Sequence, residues 1–204
     1  MNTFSILFVC TGNMCRSPMA ERMTRAALAR SLGPDAGRFS VHSAGTGTHD
    51  GRSMTAESAK VLLAYGANPD GFVSAELTPA HVGAADLVLT ATRSHRSEVV
   101  TLDPTALRRS FTLTEFARTS AAITAATAEG SLPGASLAEL PLDPLERSRA
   151  LVAAAARRRG TVRPARPDED DIPDPIGRPM EVYEAAGAQI AEAVGVTVTA
   201  LVGR

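Results

Sequence analysis

The sequence predicts an α/β fold, a four-stranded parallel sheet with helices on both faces. Two observations predict it. Short, nearly continuous apolar runs such as "FSILFV" and "ADLVLT" recur without polar alternation, as strands buried on both faces do. Each run is followed by a segment with helical spacing of apolar residues, and strands alternating with helices build parallel sheets covered on both sides.

Phe4–Val9 is the first strand. The loop after it runs into a helix in which Ser17 suits the N-cap and Pro18 the first helical position. Ala20, Met23 and Ala27 recur at helical spacing, and Gly33-Pro34 ends the element. "RFSVHSAGTGT" reads as a second strand ending in a Gly-rich loop, and Met54–Tyr65 as a helix closed by Gly66. "ADLVLT" is the third strand, and Arg93–Val100 begins a helix. Arg109–Thr112 is the candidate fourth strand, with a short helix around Glu115. From about 119 to 170 the chain turns to Ala, Ser, Gly, Pro and Arg, which reads as an insertion or flap within a single domain of residues 1–204. Within it Leu145–Arg159 is a helix stopped by Gly160, its three terminal arginines expected to be solvated. The acidic, Pro-rich "DEDDIPDPIGRP" precedes a last helix over Met180–Val196.

A chain of 204 residues, 44% hydrophobic and 21% charged, can bury a core without disulfides or metals. Its net charge of −1 offers no basic footprint for nucleic acid and no polybasic membrane patch. No signal peptide or membrane-length apolar segment is evident, and two cysteines cannot make a disulfide framework, so a cytoplasmic setting is expected. His42, His49, His81 and His95 show no metal-ligand spacing and are expected to be solvated or singly hydrogen-bonded.

Both cysteines fall in one turn, C-T-G-N-M-C-R-S, with five residues between Cys10 and Arg16. A loop entering a helix N-terminus points free backbone N–H groups inward and cradles an anion. The same field favours a thiolate at Cys10. Arg16 matches a phosphate bidentately. Between them lie Thr11, Gly12, where the backbone can approach a ligand closely, and Asn13, which tolerates left-handed geometry. Met14 adds a flexible apolar floor. The Ser17 hydroxyl can donate to the Cys10 sulfur. Cys15 lies near enough to act as a resolving thiol for an oxidised Cys10. The loop lacks the lysine of a Walker motif, the three glycines of a dinucleotide fingerprint and the C-x-x-C of a thioredoxin-like pair.

In "ILFVCTGNMCRSPMAE", "VHSAGTGT", "ADLVLT…RSH" and "DIPDP" before a helix containing "EVYE", the chain resembles the low-molecular-weight protein tyrosine phosphatase family over residues 4 to about 118 and 171 to 198. The resemblance implies phosphomonoester hydrolysis through a cysteinyl-phosphate, on a phosphorylated protein or a small aryl phosphate, with no metal or other cofactor. It places the nucleophile on Cys10, the phosphate clamp on Arg16, the general acid on Asp174 and loop bracing on Asn13, Ser17 and Ser43. Asp171 is expected to be a neighbouring loop charge.

Three positions depart from the family pattern. Ile176 and Gly177 follow the D-P pair where aromatics are usual, His49-Asp50-Gly51 stands in a loop that often carries an aromatic, and Phe72 replaces an expected histidine. The insertion is the expected source of the missing wall. Two other readings are open: a thiol-dependent arsenate reductase on the same loop, and a non-catalytic phosphate-binding regulator.

Overall fold

A computed structural model of the chain describes residues 3–128 and 140–203. Four strands, β1 (Phe4–Cys10), β2 (Phe39–Gly45), β3 (Leu87–Thr90) and β4 (Ser110–Thr112), form one sheet in the order β2-β1-β3-β4. All pairings are parallel, with Cys10 opposite Gly45 and Val9 opposite Thr90. Pleating sends successive side chains of β1 to opposite faces. Phe4, Ile6 and Phe8 enter one core with Leu87, Leu89 and Phe111; Leu7 and Val9 enter a second with Val88, Val82 and Val99.

The larger core is roofed by α1 (Arg16–Leu32), α2 (Ala56–Ala64), α5 (Leu113–Ala128), α6 (Pro144–Arg157) and α7 (Met180–Val202). The short α3 (Pro79–Gly83) and α4 (Arg93–Leu102) cover the other face. Chain order reverses at β1, whose two neighbours are β2 and β3. In open parallel sheets ligands bind beyond the strand ends at such a switch point. The loop carrying both cysteines sits there.

Several local expectations change. The first helix begins at Arg16 with Cys15 at the N-cap, so Ser17 is inside the first turn and its hydroxyl is free for other work. The helix after β4 runs sixteen residues, its Phe116 and Ile123 fully buried. The last helix passes Gly195 and continues to Val202. At 23 residues α7 is long and apolar enough to cross a membrane, contrary to the reading that no segment approaches that length. Here it is a core helix, with Tyr183, Ile190, Val194, Val198 and Leu201 buried under α1, α5 and α6. A helix apolar on most sides needs such cover.

Residues 119–170, expected as an insertion or flap, supply Ile123, Leu140, Leu145, Leu151 and Ala155 to the main core; residues 129–139 lie outside the described part. Helix α6 is tied to the amino-terminal end of the strands, where Arg149 donates to the Thr3 carbonyl at 3.1 Å. Its terminal arginines are not all solvated. Arg159 lies 4.3 Å over the Phe111 ring and donates to the carbonyls of Leu107 and Ser110 at 2.8 and 2.6 Å.

Candidate active site

The cradle begins where β1 ends. Thr46 N donates to the Cys10 carbonyl at 2.9 Å and Gly47 N to that of Thr11 at 3.0 Å, so the loop after β2 braces its outer side. Gly45 permits this approach, because a Cβ there would stand 2.5 Å from the Thr11 carbonyl oxygen. Asn13 takes the left-handed conformation, φ 48°. Its fully buried side chain donates to Ser17 Oγ at 2.8 Å and Ser43 Oγ at 2.9 Å, and accepts from Ala75 N. Ser43 passes its own proton to the buried carboxylate of Glu21 at 2.6 Å, and Arg25 neutralises Glu21 from one helical turn away at 2.9 Å.

Asn13 sets the polarity of this network. Asn13 spends both amide protons on the two serines, so the Ser17 oxygen accepts from it and keeps its own proton, which it can donate to Cys10 Sγ, 3.0 Å away. The start of α1 has no side-chain cap and no acidic residue in its first turn, so its free N–H groups remain for an anion.

Arg16 is 5% exposed, donating through Nη1 to the Ile172 carbonyl at 3.2 Å and through Nη2 to Asp174. Its Nε is buried without an acceptor among the described residues. A buried donor left unsatisfied is costly, and a phosphate oxygen would relieve it.

Asp174 is half-exposed, its Oδ1 accepting from Ile176 N at 3.2 Å. The loop bearing it is stapled at several points. Ile172 N donates to the Ala91 carbonyl, Arg118 grips Asp170, and Arg93 grips Asp171 through both guanidinium and backbone N–H. Burial opposes charge on Asp171, but the Arg93 hydrogen bonds outweigh it and hold the carboxyl below its ordinary range. Asp171 is thus a fixed anion, and Asp174 is the only carboxyl lining the cleft among the described residues.

That cleft, about 240 Å³, is lined by the cradle residues Cys10, Thr11, Gly12, Met14, Cys15 and Arg16, with Arg52, Asp174 and Ile176 added from two other loops. No lining residue comes from 119–170, so the expected wall is not supplied by the described part of that segment. Cys15 Sγ faces Thr55 Oγ1 at 3.7 Å; burial raises its pKa, the setting of a packed thiol. Phe72 lies beneath Arg22, 5.7 Å from its guanidinium carbon.

A histidine that braces the cradle escaped the sequence reading. His95 is 5% exposed, its Nε2 2.8 Å from Thr11 Oγ1 and its Nδ1 2.8 Å from Thr92 Oγ1. It was expected to be solvated or singly bonded, and instead braces the cradle from α4. The signal was only its place three residues into a Thr-capped helix after a strand. Burial, then the Arg16 charge, lower its pKa, so it is neutral near pH 7. An unfolded His protonates near 6.5 and the native one only below that, so this contribution to stability is full above 6.5 and is lost as pH falls through the native value. Melting temperature is therefore expected to drop more between pH 7 and pH 5 in the wild type than in His95→Gln. Superimposable profiles would remove His95 from the account.

A family model described as "Low molecular weight phosphotyrosine protein phosphatase" matches residues 5–128. The chain is 47% identical over 92 residues to low molecular weight protein-tyrosine phosphatase A of Mycobacterium tuberculosis, covering 44% of this chain and 53% of that protein. It thus spans about half the length of that curated relative. It is 35% identical over 113 residues to a protein-arginine-phosphatase of Geobacillus stearothermophilus, 55% of this chain and 71% of the relative. Among solved structures, a low molecular weight protein tyrosine phosphatase from T. tengcongensis superposes with TM-score 0.63 at 26% identity, covering 95% of this chain and 97% of that one.

Proposed function

The chain belongs to the low molecular weight phosphotyrosine protein phosphatase family, and from that premise we propose that it removes phosphate from protein side chains through a phosphocysteine at Cys10. The observation that carries the reading is the single cleft holding Cys10 Sγ 3.0 Å from Ser17 Oγ, the Arg16 guanidinium with one donor unspent, and Asp174. Cys10 Sγ attacks phosphorus while the bond to the leaving oxygen breaks, and the Asp174 carboxyl gives that oxygen its proton. The resulting Asp174 carboxylate takes a proton from water, which displaces the thiolate as inorganic phosphate forms. Ser17 donates to the departing sulfur. Arg16 and Asp174 are paired in this structure, so a phosphate that takes the guanidinium also releases the carboxyl toward the leaving group.

Asp174→Asn is therefore expected to slow alkyl phosphates far more than nitrophenyl phosphate, because an acid helps most when the departing oxygen is basic. Equal losses for both, measured as kcat/KM, would assign Asp174 a structural role.

A second reading, removal of phosphate from protein arginine, is favoured by the lining. No aromatic ring lines the cleft among the described residues, which forgoes about 1 kcal/mol of stacking for a tyrosine ring, roughly fivefold. The Geobacillus relative supports it by name. In that reaction the broken bond is P–N, and the proton of Asp174 goes to the guanidine nitrogen. One panel separates the readings: nitrophenyl phosphate, a phosphotyrosine peptide, a phosphoarginine peptide, and arsenate with a small thiol. Phosphate release with at most modest preference for phosphotyrosine supports the proposal. Arsenate reduction without phosphate release would replace it with the reductase, and inertness throughout with the regulator.

A further inference from the structure

Among the described residues, Arg52 is the one cleft-lining charge that the proposed chemistry leaves unused. Its loop, between β2 and α2, is built rather than loose. Arg52 N donates to Ser74 Oγ at 3.0 Å, Ser74 N donates to the Arg52 carbonyl at 2.8 Å, and Gly51 N donates to the Ser74 carbonyl at 2.9 Å. Ser74, 2% exposed, also donates to the His49 carbonyl at 2.6 Å, and Asp50 Oδ1 accepts from Glu76 N at 2.7 Å. The backbone that carries the guanidinium is thus held on both sides.

The side chain itself is uncommitted. Arg52 makes no ion pair or side-chain hydrogen bond among the described residues, although it is exposed in the cleft beside Cys10 and Asp174. Arginines around the neighbouring loops are spent: Arg93 on Asp171, Arg96 on Glu115, Arg118 on Asp170. Arg16 already holds Ile172 and Asp174. The rest of the lining outside the cradle backbone offers little to grip a substrate directionally. Met14 and Ile176 are apolar and deformable, and no ring is present to stack.

We propose that Arg52 binds an anionic group flanking the phosphorylated residue, so that preferred substrates are phosphoproteins with an acidic side chain beside the phosphate-bearing one. The proposal rests on the phosphatase reading and deepens it by naming the substrate class. Guanidinium matches a carboxylate bidentately, and a second phosphate on the same peptide presents equivalent oxygens. The cleft is open to water, so the contact is a partly screened ion pair. Such pairs favour an acidic neighbour over a neutral one by roughly fivefold at most, with a similar penalty for a basic one.

The test is a set of one phosphopeptide sequence with Asp, Asn, Lys or a second phosphorylated residue beside the scissile phosphate. The Asp-to-Lys ratio of kcat/KM is read within each variant, so any general change in turnover cancels. Wild type is expected to favour Asp, Arg52→Ala to bring the ratio near one, and Arg52→Glu to invert it. Raising ionic strength should shrink the wild-type ratio, since charges beyond about 3 Å are screened at 1 M salt. The same peptides titrated onto Cys10→Ser, which needs no turnover, should rank alike. A wild-type ratio near one, or a ratio unchanged in Arg52→Glu, overturns the proposal. Phosphate release from nitrophenyl phosphate in the same preparation shows whether the phosphatase reading itself still stands. A larger gain from the second phosphate than from Asp identifies doubly phosphorylated segments as the preferred form of that anion.

Discussion

Cys10→Ser is expected to lower kcat/KM for an aryl phosphate by about four orders of magnitude or more, while inorganic phosphate and vanadate still bind. The serine oxygen would occupy the place of a sulfur that stands 3.0 Å from Ser17 Oγ. It keeps its proton near pH 7 and is a far weaker nucleophile than a thiolate. His95 cannot serve as a base for it, since both its ring nitrogens are spent on Thr11 and Thr92. Anion binding draws instead on the uncapped start of α1 and on Arg16, neither of which the substitution touches. Loss of both turnover and phosphate binding in a folded variant would mean that Cys10 shapes the cradle rather than attacking from it.

Arg16→Lys is expected to cost roughly 100- to 1,000-fold in kcat/KM, the range for losing a charged donor that matches the transition state. Charge is conserved in this change, so geometry is what it removes. A lysine offers one compact ammonium where the guanidinium reaches the Ile172 carbonyl with Nη1 and Asp174 with Nη2 and keeps Nε in reserve. The buried end of that side chain also ties the acid loop to the cradle across 156 residues of sequence. The lysine variant should thus show a steeper leaving-group dependence as well as a lower rate, because the loosened acid loop protonates basic leaving oxygens less well. A variant within tenfold of wild type would show that a point charge suffices and that the fork is not used.

The cradle was legible because it is local. From Cys10 to Ser17 its parts are contiguous, and strand, loop and helix start can be seen in eight residues. β1 and β3 were legible for a similar reason, each being a short apolar run between turn residues. What escaped lies in contacts between distant segments. Thr11 meets His95 across 84 positions, and Asn13 meets Ala75 across 62. The local pattern marks neither pairing. Glu21 of α1 drew no attention in the sequence, yet Ser43 and Arg25 fix it inside the network around Asn13 and Ser17. Arg159 looked like a solvated helix end because three arginines at a C-terminus usually are; the Phe111 face and the carbonyls of Leu107 and Ser110 draw it inward. Helix lengths failed where Ala, Thr and Val carry few stop signals, as at the ends of α5 and α7.

The central claim is that phosphate passes through Cys10. Asp174→Asn provides the means to catch it, because nitrophenolate leaves without an acid while the second step still needs a base to activate water. Quenching that variant during turnover of nitrophenyl phosphate, followed by mass spectrometric mapping, should recover one phosphoryl group on Cys10, matched by a nitrophenolate burst equal to the enzyme present. A phosphoryl group on another residue, or steady turnover with no burst and an unmodified Cys10, would contradict the account.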